Sequence, residues 1–128
     1  MIIVYAYVVA DILHKGHLEY LRNAKALGDK LIVGVLTNQA VEEKKPPPVM
    51  DFDDRVDLVG ALEFVDVVVS QSQYSPLENV KKIQPDILVE STSHADYPAQ
   101  EYMEKIGRQV ALPYYPEYSS TEIKRRIK

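Results

Sequence analysis

The sequence predicts an α/β fold in which a five-stranded parallel β-sheet carries helices on both faces. Apolar stretches of strand length alternate with segments whose apolar residues recur at helical spacing, and this alternation is typical of strand–helix–strand units. The first stretch, residues 2–9, is apolar on both faces, as the central strands of parallel sheets are. The length predicts one domain over residues 1–128, since it leaves little room for a second.

The first part of the chain supplies two strands and the helix between them. Residues 2–9 form the first predicted strand, and a helix follows from about residue 16 to 27, where leucine or alanine recurs at every third position. Gly28 is placed to end this helix as its C′ residue. Residues 30–36 form the second strand, which is again mainly apolar.

A loop rich in proline separates the second strand from the next helix. It covers residues 37–52 and contains three consecutive prolines at positions 46–48, which cannot continue a helix. A short helix can precede the prolines. Asp51 is placed to cap a helix over about residues 52–62.

The second part of the chain continues the alternation. The remaining predicted strands are residues 65–70, 86–90 and 109–112. One helix opens at Ser75 with Pro76 in its first position, and another covers residues 98–106 and closes at Gly107. Residues 91–97 between them are polar and irregular. Right-handed crossovers then give a Rossmann-like domain, whose ligands bind beyond the carboxyl ends of the strands.

Composition excludes several classes of function. The 15 basic and 19 acidic residues give a net charge of −4, which argues against a nucleic-acid partner. The chain has no cysteine, so disulfides, thiolate metal sites and a cysteine nucleophile are excluded, and a reducing, cytoplasmic location is expected. The apolar N-terminus stops at Asp11 and lacks a positively charged leader region, so we expect a buried strand and no membrane partner.

Two histidines stand where the first strand gives way to the first helix. His14 and His17 flank Gly16 there. A helix N-terminus offers backbone N–H groups to an anion, glycine lets the backbone approach a phosphate, and imidazoles donate hydrogen bonds to phosphoryl oxygens. A metal half-site, or a turn with a satisfied histidine, remains the alternative. Zinc is disfavoured because cysteine is absent and His94 is the only other histidine.

A second predicted helix start lies near the end of the chain. Ser119 and Glu122 form a capping box, and the segment between them adds further hydroxyls. Alone, this pattern indicates a helix cap; beside the histidine pair it becomes a candidate second anion site. Residues 124–128 hold four cations, which fit either a solvated helix end or a share in phosphate binding.

Taken together and in order, these segments resemble the cytidylyltransferase-like nucleotidyltransferase superfamily. Residues 14–17 match its HxGH motif and residues 119–123 match its SSTxI motif. Weaker matches cover residues 27–35, 45–49, 60–68 and 85–89, so that the resemblance spans nearly the whole chain. It is nearest to the glycerol- and ethanolamine-phosphate cytidylyltransferases and to the heptose-phosphate adenylyltransferases of lipopolysaccharide core biosynthesis.

The resemblance implies an enzyme that transfers CMP or AMP from CTP or ATP to a phosphorylated alcohol or sugar phosphate, with release of pyrophosphate. It also implies Mg²⁺ as cofactor, no metal site made by the protein alone, and a homodimer. His14, His17 and Lys45 would be catalytic, with Lys45 reaching the phosphates from its loop. The residues implied for nucleotide binding are Val8, Val9, Ala10, Asp11, Gly16, Arg55, Ser119, Ser120 and Thr121.

Departures from the family pattern leave some choices open. Val8 stands where the family has glycine, and Tyr114 stands where cytidylyltransferases often have arginine, which tilts the reading away from the glycerol-phosphate branch. The loop after the fourth strand lacks the family's glycine-containing turn, so the base is not determined. The alternatives are a nucleotide-binding relative without catalysis and an adenylyltransferase of the coenzyme-synthesis branches, which act on nicotinamide mononucleotide or phosphopantetheine. Lys15 either lies in solvent or faces an acceptor phosphate.

Overall fold

Strands and helices alternate along the chain in the computed structural model, which describes residues 1–92, 94 and 96–113. The strands are β1 (Ile3–Val8), β2 (Lys30–Leu36), β3 (Val67–Gln71), β4 (Ile87–Ser91) and β5 (Arg108–Leu112). The helices are α1 (Lys15–Lys25), α2 (Asn38–Glu42), α3 (Phe52–Gly60), α4 (Leu77–Ile83) and α5 (Tyr97–Ile106). Within this described part, no helix has the length and apolar character needed to cross a bilayer.

The five strands form one sheet in the order β3-β2-β1-β4-β5, and every neighbouring pair is parallel. This confirms the predicted sheet. The strands that follow β1 first extend the sheet on one side, and β4 and β5 then extend it on the other. The direction of winding therefore reverses between β1 and β4, and open parallel sheets bind ligands beyond the carboxyl ends of their strands at such a point.

Alternate side chains of β1 enter two separate cores, one on each face of the sheet. Val4, Ala6 and Val8 belong to the larger cluster, together with Tyr20, Leu21 and Ala24 of α1. Tyr5 belongs to the second cluster, with Val80 of α4 and Ala99 and Met103 of α5. Because side chains alternate across a strand, a strand apolar on both faces must be covered on both, and the helices provide that cover.

Gly28 does not have the role that the sequence predicts. Helix α1 ends at Lys25 with Ala26 as its C-cap, and no glycine among the described residues has a positive φ, so Gly28 is not a left-handed C′ residue. A Cβ atom at Gly28 would lie 2.8 Å from the carbonyl oxygen of Ile2 and 2.7 Å from Cγ2 of Val4. The glycine is required because the chain passes close to the start of β1.

Two predicted helix starts also differ in detail. Pro76 is the N-cap of α4 and not its first helical residue, and the hydroxyl of Ser75 accepts the N–H of Leu77 at 3.2 Å. Asp51 is the N-cap of α3, but its side chain makes no capping hydrogen bond. The predicted final helix from Ser119 lies outside the described residues.

Candidate functional site

The turn after β1 has an unusual backbone. Ala10 and Ile12 have φ values of 60° and 58°, in the left-handed region. This conformation is uncommon for any residue with a side chain and is an outlier for a β-branched one, at a cost of about 1–3 kcal/mol each. The turn brings the chain from the carboxyl end of the central strand to His14, the N-cap of α1.

His14 and His17 cap helix α1 with their own rings. The N–H of Gly16 donates to Nδ1 of His14 at 3.0 Å, and the N–H of His14 donates to Nδ1 of His17 at 3.2 Å. The two ring centroids are 4.1 Å apart. Because each Nδ1 accepts a hydrogen bond, each neutral ring carries its proton on Nε2.

Burial keeps both rings neutral at physiological pH. It lowers the pKa of His17 to about 3, helped by the nearby His14 and opposed by the negative charge of Asp11. Burial also lowers the pKa of His14. The site therefore holds two imidazoles that keep an Nε2–H donor without carrying a charge.

The backbone N–H groups at the start of α1 are partly engaged within the turn. Besides the Gly16 N–H on the His14 ring, the N–H of His17 donates to the carbonyl oxygen of His14 at 3.0 Å. The sequence predicts free N–H groups here, as a helix N-terminus ordinarily offers. The histidine rings as their acceptors could not be predicted, because a histidine ring is not among the usual helix caps. These contacts leave fewer backbone N–H groups for an anion than the sequence predicts.

Asp11 ties the proline-containing loop to the histidine turn. Its carboxylate is buried and accepts the N–H of Val49 at Oδ2 and the N–H of Met50 at Oδ1, both at 2.9 Å. Lys45 lies four residues before Val49 and is exposed. The loop that carries the predicted catalytic lysine thus ends on a residue of the turn that carries the histidines.

Arg55 is buried at the carboxyl ends of two strands and has no exposed surface. Its Nη1 donates to the carbonyl oxygens of Val9 at 2.6 Å and Leu36 at 2.7 Å. Its Nη2 donates to Oδ1 of Asn38 at 2.6 Å, and its Nε donates to the carbonyl oxygen of Met50 at 3.2 Å. These contacts are all with the protein, whereas the resemblance implies contact with nucleotide or acceptor phosphate.

A second polar cluster, which sequence reasoning missed, surrounds Glu90 near the carboxyl end of β4. The carboxylate has no exposed surface and accepts hydrogen bonds from the Tyr7 hydroxyl, from Nε2 of Gln100 at 3.3 Å and from Nε2 of Gln109 at 3.2 Å. Burial, together with Glu90, raises the pKa of Tyr7 far above its ordinary value. A glutamate inside a predicted buried strand was the available signal.

His94 lies beside this cluster. Its ring packs edge-on against Tyr7, with centroids 5.8 Å apart, and against Tyr74, with centroids 5.2 Å apart. Its Nε2 is buried and has no hydrogen-bond partner among the described residues. Tyr7 packs on the face of the sheet opposite α1, the helix that carries the histidine pair. The carboxyl ends of β1 and β4 therefore carry polar groups on both faces of the sheet.

The structure brings part of the predicted site together. His14, His17, Gly16 and Asp11 share one turn, and the loop of Lys45 is attached to it. Within the described residues, no three His, Asp or Glu side chains lie close enough to hold a metal ion together. In that part of the chain, the histidine pair therefore has no third side chain that would complete a metal site. Ser119, Ser120 and Thr121 lie outside the described residues, and their approach to the histidines stays a prediction.

Comparisons with known proteins agree with the resemblance. The model of the family described as cytidylyltransferase-like matches residues 7–126. The chain is similar to the bifunctional protein HldE of Campylobacter fetus subsp. fetus, at 40% identity over 122 residues that cover 92% of this chain and 26% of that protein. It is similar to the ethanolamine-phosphate cytidylyltransferase of Arabidopsis thaliana, at 33% identity over 126 residues that cover 91% of this chain and 30% of that protein.

The chain thus spans about a quarter to a third of the length of these two relatives. Among solved structures, a lipopolysaccharide core biosynthesis protein from Thermoplasma volcanium GSS1 is similar with a TM-score of 0.80 and 29% identity, over 90% of this chain and 98% of that one. The pantoate–beta-alanine ligase of Francisella tularensis shares the fold alone, with a TM-score of 0.60 and 14% identity over 97% of this chain and 65% of that one.

Proposed function

Because the chain belongs to the cytidylyltransferase-like family, we propose that it is a nucleotidyltransferase that transfers CMP or AMP from CTP or ATP to a phosphorylated alcohol or sugar phosphate. The observation that carries this proposal is the pair of neutral imidazoles that cap α1 directly after the central strand. They stand where parallel sheets bind ligands, and they offer donors at a helix N-terminus, which favours anions.

The proposed reaction needs little covalent work from the protein. An acceptor phosphate oxygen attacks the α-phosphorus of the nucleotide, the bond from that phosphorus to the bridging oxygen breaks, and pyrophosphate leaves with the bonding electrons. The acceptor is already anionic near neutral pH, so no general base is required. The protein contributes placement and stabilisation of the charge that develops on the phosphoryl and leaving oxygens.

The histidines supply hydrogen bonds in this proposal and do not transfer protons. A ring whose Nδ1 accepts a backbone N–H presents Nε2–H as its donor, and the lowered pKa values keep that state through the neutral range. Lys45 would add a positive charge to the triphosphate from its loop. Ser119, Ser120 and Thr121 would hold the β- and γ-phosphates.

Mg²⁺ would enter this site with the triphosphate. Magnesium prefers phosphate oxygens and water and needs few protein ligands, which fits a described part that has no three-residue cluster of metal-ligating side chains. When bound, the ion would neutralise phosphate charge. We expect EDTA to abolish pyrophosphate release and excess Mg²⁺ to restore it.

Two similarities bear on the substrates. The likeness to a lipopolysaccharide core biosynthesis protein, over nearly all of that chain, favours the branch of the resemblance that serves this process, the heptose-phosphate adenylyltransferases, and hence a sugar phosphate with ATP as donor. The likeness to an ethanolamine-phosphate cytidylyltransferase keeps CTP and a phosphorylated alcohol as the alternative. The homodimer and the cytoplasmic location stay predictions from the sequence, and sedimentation analysis would test the first.

The direct test crosses CTP and ATP with sugar phosphates, phosphorylated alcohols, nicotinamide mononucleotide and phosphopantetheine, and measures pyrophosphate release. His14→Ala and His17→Ala should each lower turnover about 10²-fold or more, because each removes a positioned donor. Glu19→Gln is the control, since Glu19 lies on the same helix and pairs with Arg22 at the surface.

Three results would contradict the proposal or redirect it. Unchanged turnover in both histidine variants would remove the proposed mechanism. Nucleotide binding without pyrophosphate release, across the whole acceptor set, would favour a relative without catalysis. Activity only with nicotinamide mononucleotide or phosphopantetheine would place the chain in the coenzyme branch.

A further inference from the structure

Residues 45–50, which we call the proline strap, are attached to the fold at both ends. At the start, the N–H of Lys45 donates to the carbonyl oxygen of Val41 at 2.9 Å, at the end of α2. At the far end, the N–H groups of Val49 and Met50 donate to Asp11. Three prolines lie between, and such a run is stiff and extended, with a rise of about 3.1 Å per residue.

The far end of the strap is fixed by buried groups, although the strap itself is mostly exposed. Val49 is 69% exposed, whereas the Asp11 carboxylate that accepts its N–H belongs to a residue only 3% exposed. The Ile12 N–H also meets Sδ of Met50 at 3.3 Å. The far end of the strap is therefore hydrogen-bonded to the turn that leads to the histidines.

Arg55 stabilises the same junction through hydrogen bonds to both sides of it. It donates to the carbonyl oxygens of Met50 at the end of the strap and of Val9 at the end of β1. It also reaches Leu36 and Asn38, which fixes the end of β2 and the start of α2 to the same point. One guanidinium thus contacts the far end of the strap, the end of β1 and the start of α2, the helix from which the strap leaves.

We propose that Asp11 and Arg55 are positioning residues, which hold the proline strap against the histidine turn and so set where Lys45 stands relative to His14 and His17. The inference rests on the proposed nucleotidyltransferase function and deepens it. It differs from the ligand role that the resemblance implies for both residues.

The contacts favour positioning over direct binding of nucleotide. Arg55 has no exposed surface and makes four hydrogen bonds to the protein. Turning it toward a phosphate would take this donor from the buried carbonyl oxygen of Leu36 and the partly buried one of Val9, and leaving a buried acceptor unpaired is costly. Both carboxylate oxygens of Asp11 already accept backbone N–H groups.

The first test compares Asp11→Asn and Arg55→Lys with matched changes on the surface. An asparagine keeps the shape but turns an NH₂ group toward one backbone N–H, and a lysine cannot span the four acceptors. Each should lower kcat/KM for the nucleotide about 10-fold or more, because misplacing Lys45 by a fraction of an ångström to about 1 Å weakens transition-state stabilisation by at least that factor. Asp54→Asn and Arg22→Lys are exposed controls and should change it less than about 2-fold.

A double-mutant cycle with Lys45→Ala separates positioning from binding. If Asp11 acts through the placement of Lys45, then Asp11→Asn should cost less than about 3-fold once Lys45 is already alanine, since the two changes share one effect. If Asp11 binds nucleotide directly, the full loss should persist in the Lys45→Ala background, and that result would overturn the proposal.

Amide hydrogen exchange tests the attachment of the strap without any measurement of enzyme activity. In the wild-type chain, the exposed Val49 and the neighbouring Met50 should show amide hydrogen exchange slowed about 10-fold or more relative to a solvent loop. Asp11→Asn should abolish that protection at one of the two amides at least, the one that its NH₂ group faces. Unprotected amides in the wild type would refute the strap. Lack of pyrophosphate release, with the amides protected, would instead count against the proposed function alone.

Val49→Pro covers the case in which Asp11→Asn or Arg55→Lys fails to fold. It removes one N–H donor to Asp11, continues the run of prolines and touches no buried side chain. We expect a smaller loss of kcat/KM than in Asp11→Asn, about 3-fold, and a partial loss of protection at Met50, whose own hydrogen bond to Asp11 remains. Unchanged protection and kcat/KM in Val49→Pro would contradict the positioning role.

Discussion

His17 accepts the backbone N–H of His14 through a ring nitrogen that must stay unprotonated. Protonation would replace the acceptor with a second N–H and break the capping pair. The same nitrogen thus sets the tautomer of a predicted catalytic group and holds the first turn of α1. At the scale of single residues, the proposed chemistry and the helix cap depend on one protonation state.

We expect stability to fall with acidity through this residue. The folded pKa of His17, about 3, lies below its unfolded value of about 6.5, so the unfolded chain binds the proton more tightly between these values. The contribution of neutral His17 is complete above about pH 6.5 and is lost as the pH falls toward 3. Over the whole window the loss should amount to a few kcal/mol.

The measurement is urea unfolding between pH 7 and pH 4 for the wild type and for His17→Asn. Asparagine can accept the His14 N–H through its amide oxygen but does not titrate, so its stability curve should be flatter above about pH 4.5. Carboxylates contribute to both curves alike. Equal slopes in the two proteins between about pH 6.5 and 4.5 would show that His17 is not the responsible group.

At the scale of elements, β1 and β2 are fitted to each other through Tyr5 and Gly34. The hydroxyl of Tyr5 donates to Oε1 of Gln71 at 2.6 Å and accepts Nδ2 of Asn79 at 2.9 Å. A Cβ atom on Gly34 would lie 1.9 Å from that hydroxyl oxygen. The glycine in β2 is therefore a steric requirement of its neighbour on β1.

Gly34→Ala should destabilise the protein by about 1–3 kcal/mol, because overpacking forces a buried hydroxyl from its partners. Gly60→Ala is the control, since its Cβ would meet nothing closer than Cγ2 of Val68 at 3.6 Å and it ends a helix. Adding Tyr5→Phe to Gly34→Ala should recover part of the loss in thermal unfolding. Strict additivity of the two changes would argue against this steric explanation.

At the scale of the whole molecule, stability is expected to be highest at the centre of the sheet. Strand β1 pairs with β2 over six residues and with β4 on its other side, whereas β3 and β5 are edges with one partner each. Amide exchange should be slowest in β1 and β2 and faster in β5, by 10-fold or more in rate. Exchange in β5 as slow as in β1 would contradict this order.

The sequence predicts this architecture well, because each apolar strand and each amphipathic helix is visible in a short stretch of sequence, and these local preferences agree with the complete fold. Residues 30–36 coincide with β2, and the bounds of the other strands differ by one or two residues. The turn at Ile12 could not be predicted, since a β-branched residue opposes a left-handed backbone. The burial of Arg55 was also hidden, because charged residues are ordinarily exposed. The place of Glu90 inside a predicted strand signalled its burial, but only tertiary contacts reveal its partners.

The use of histidine rings as helix caps has a consequence for engineering this chain. In many enzymes, deleting reactive side chains raises thermal tolerance, because those groups are held there for activity at the expense of stability. Here the proposed requirement for activity coincides with stability, since His14 and His17 each pair with a backbone amide at the start of α1. Screening variants for higher melting temperature should therefore retain both imidazoles even when no substrate is supplied.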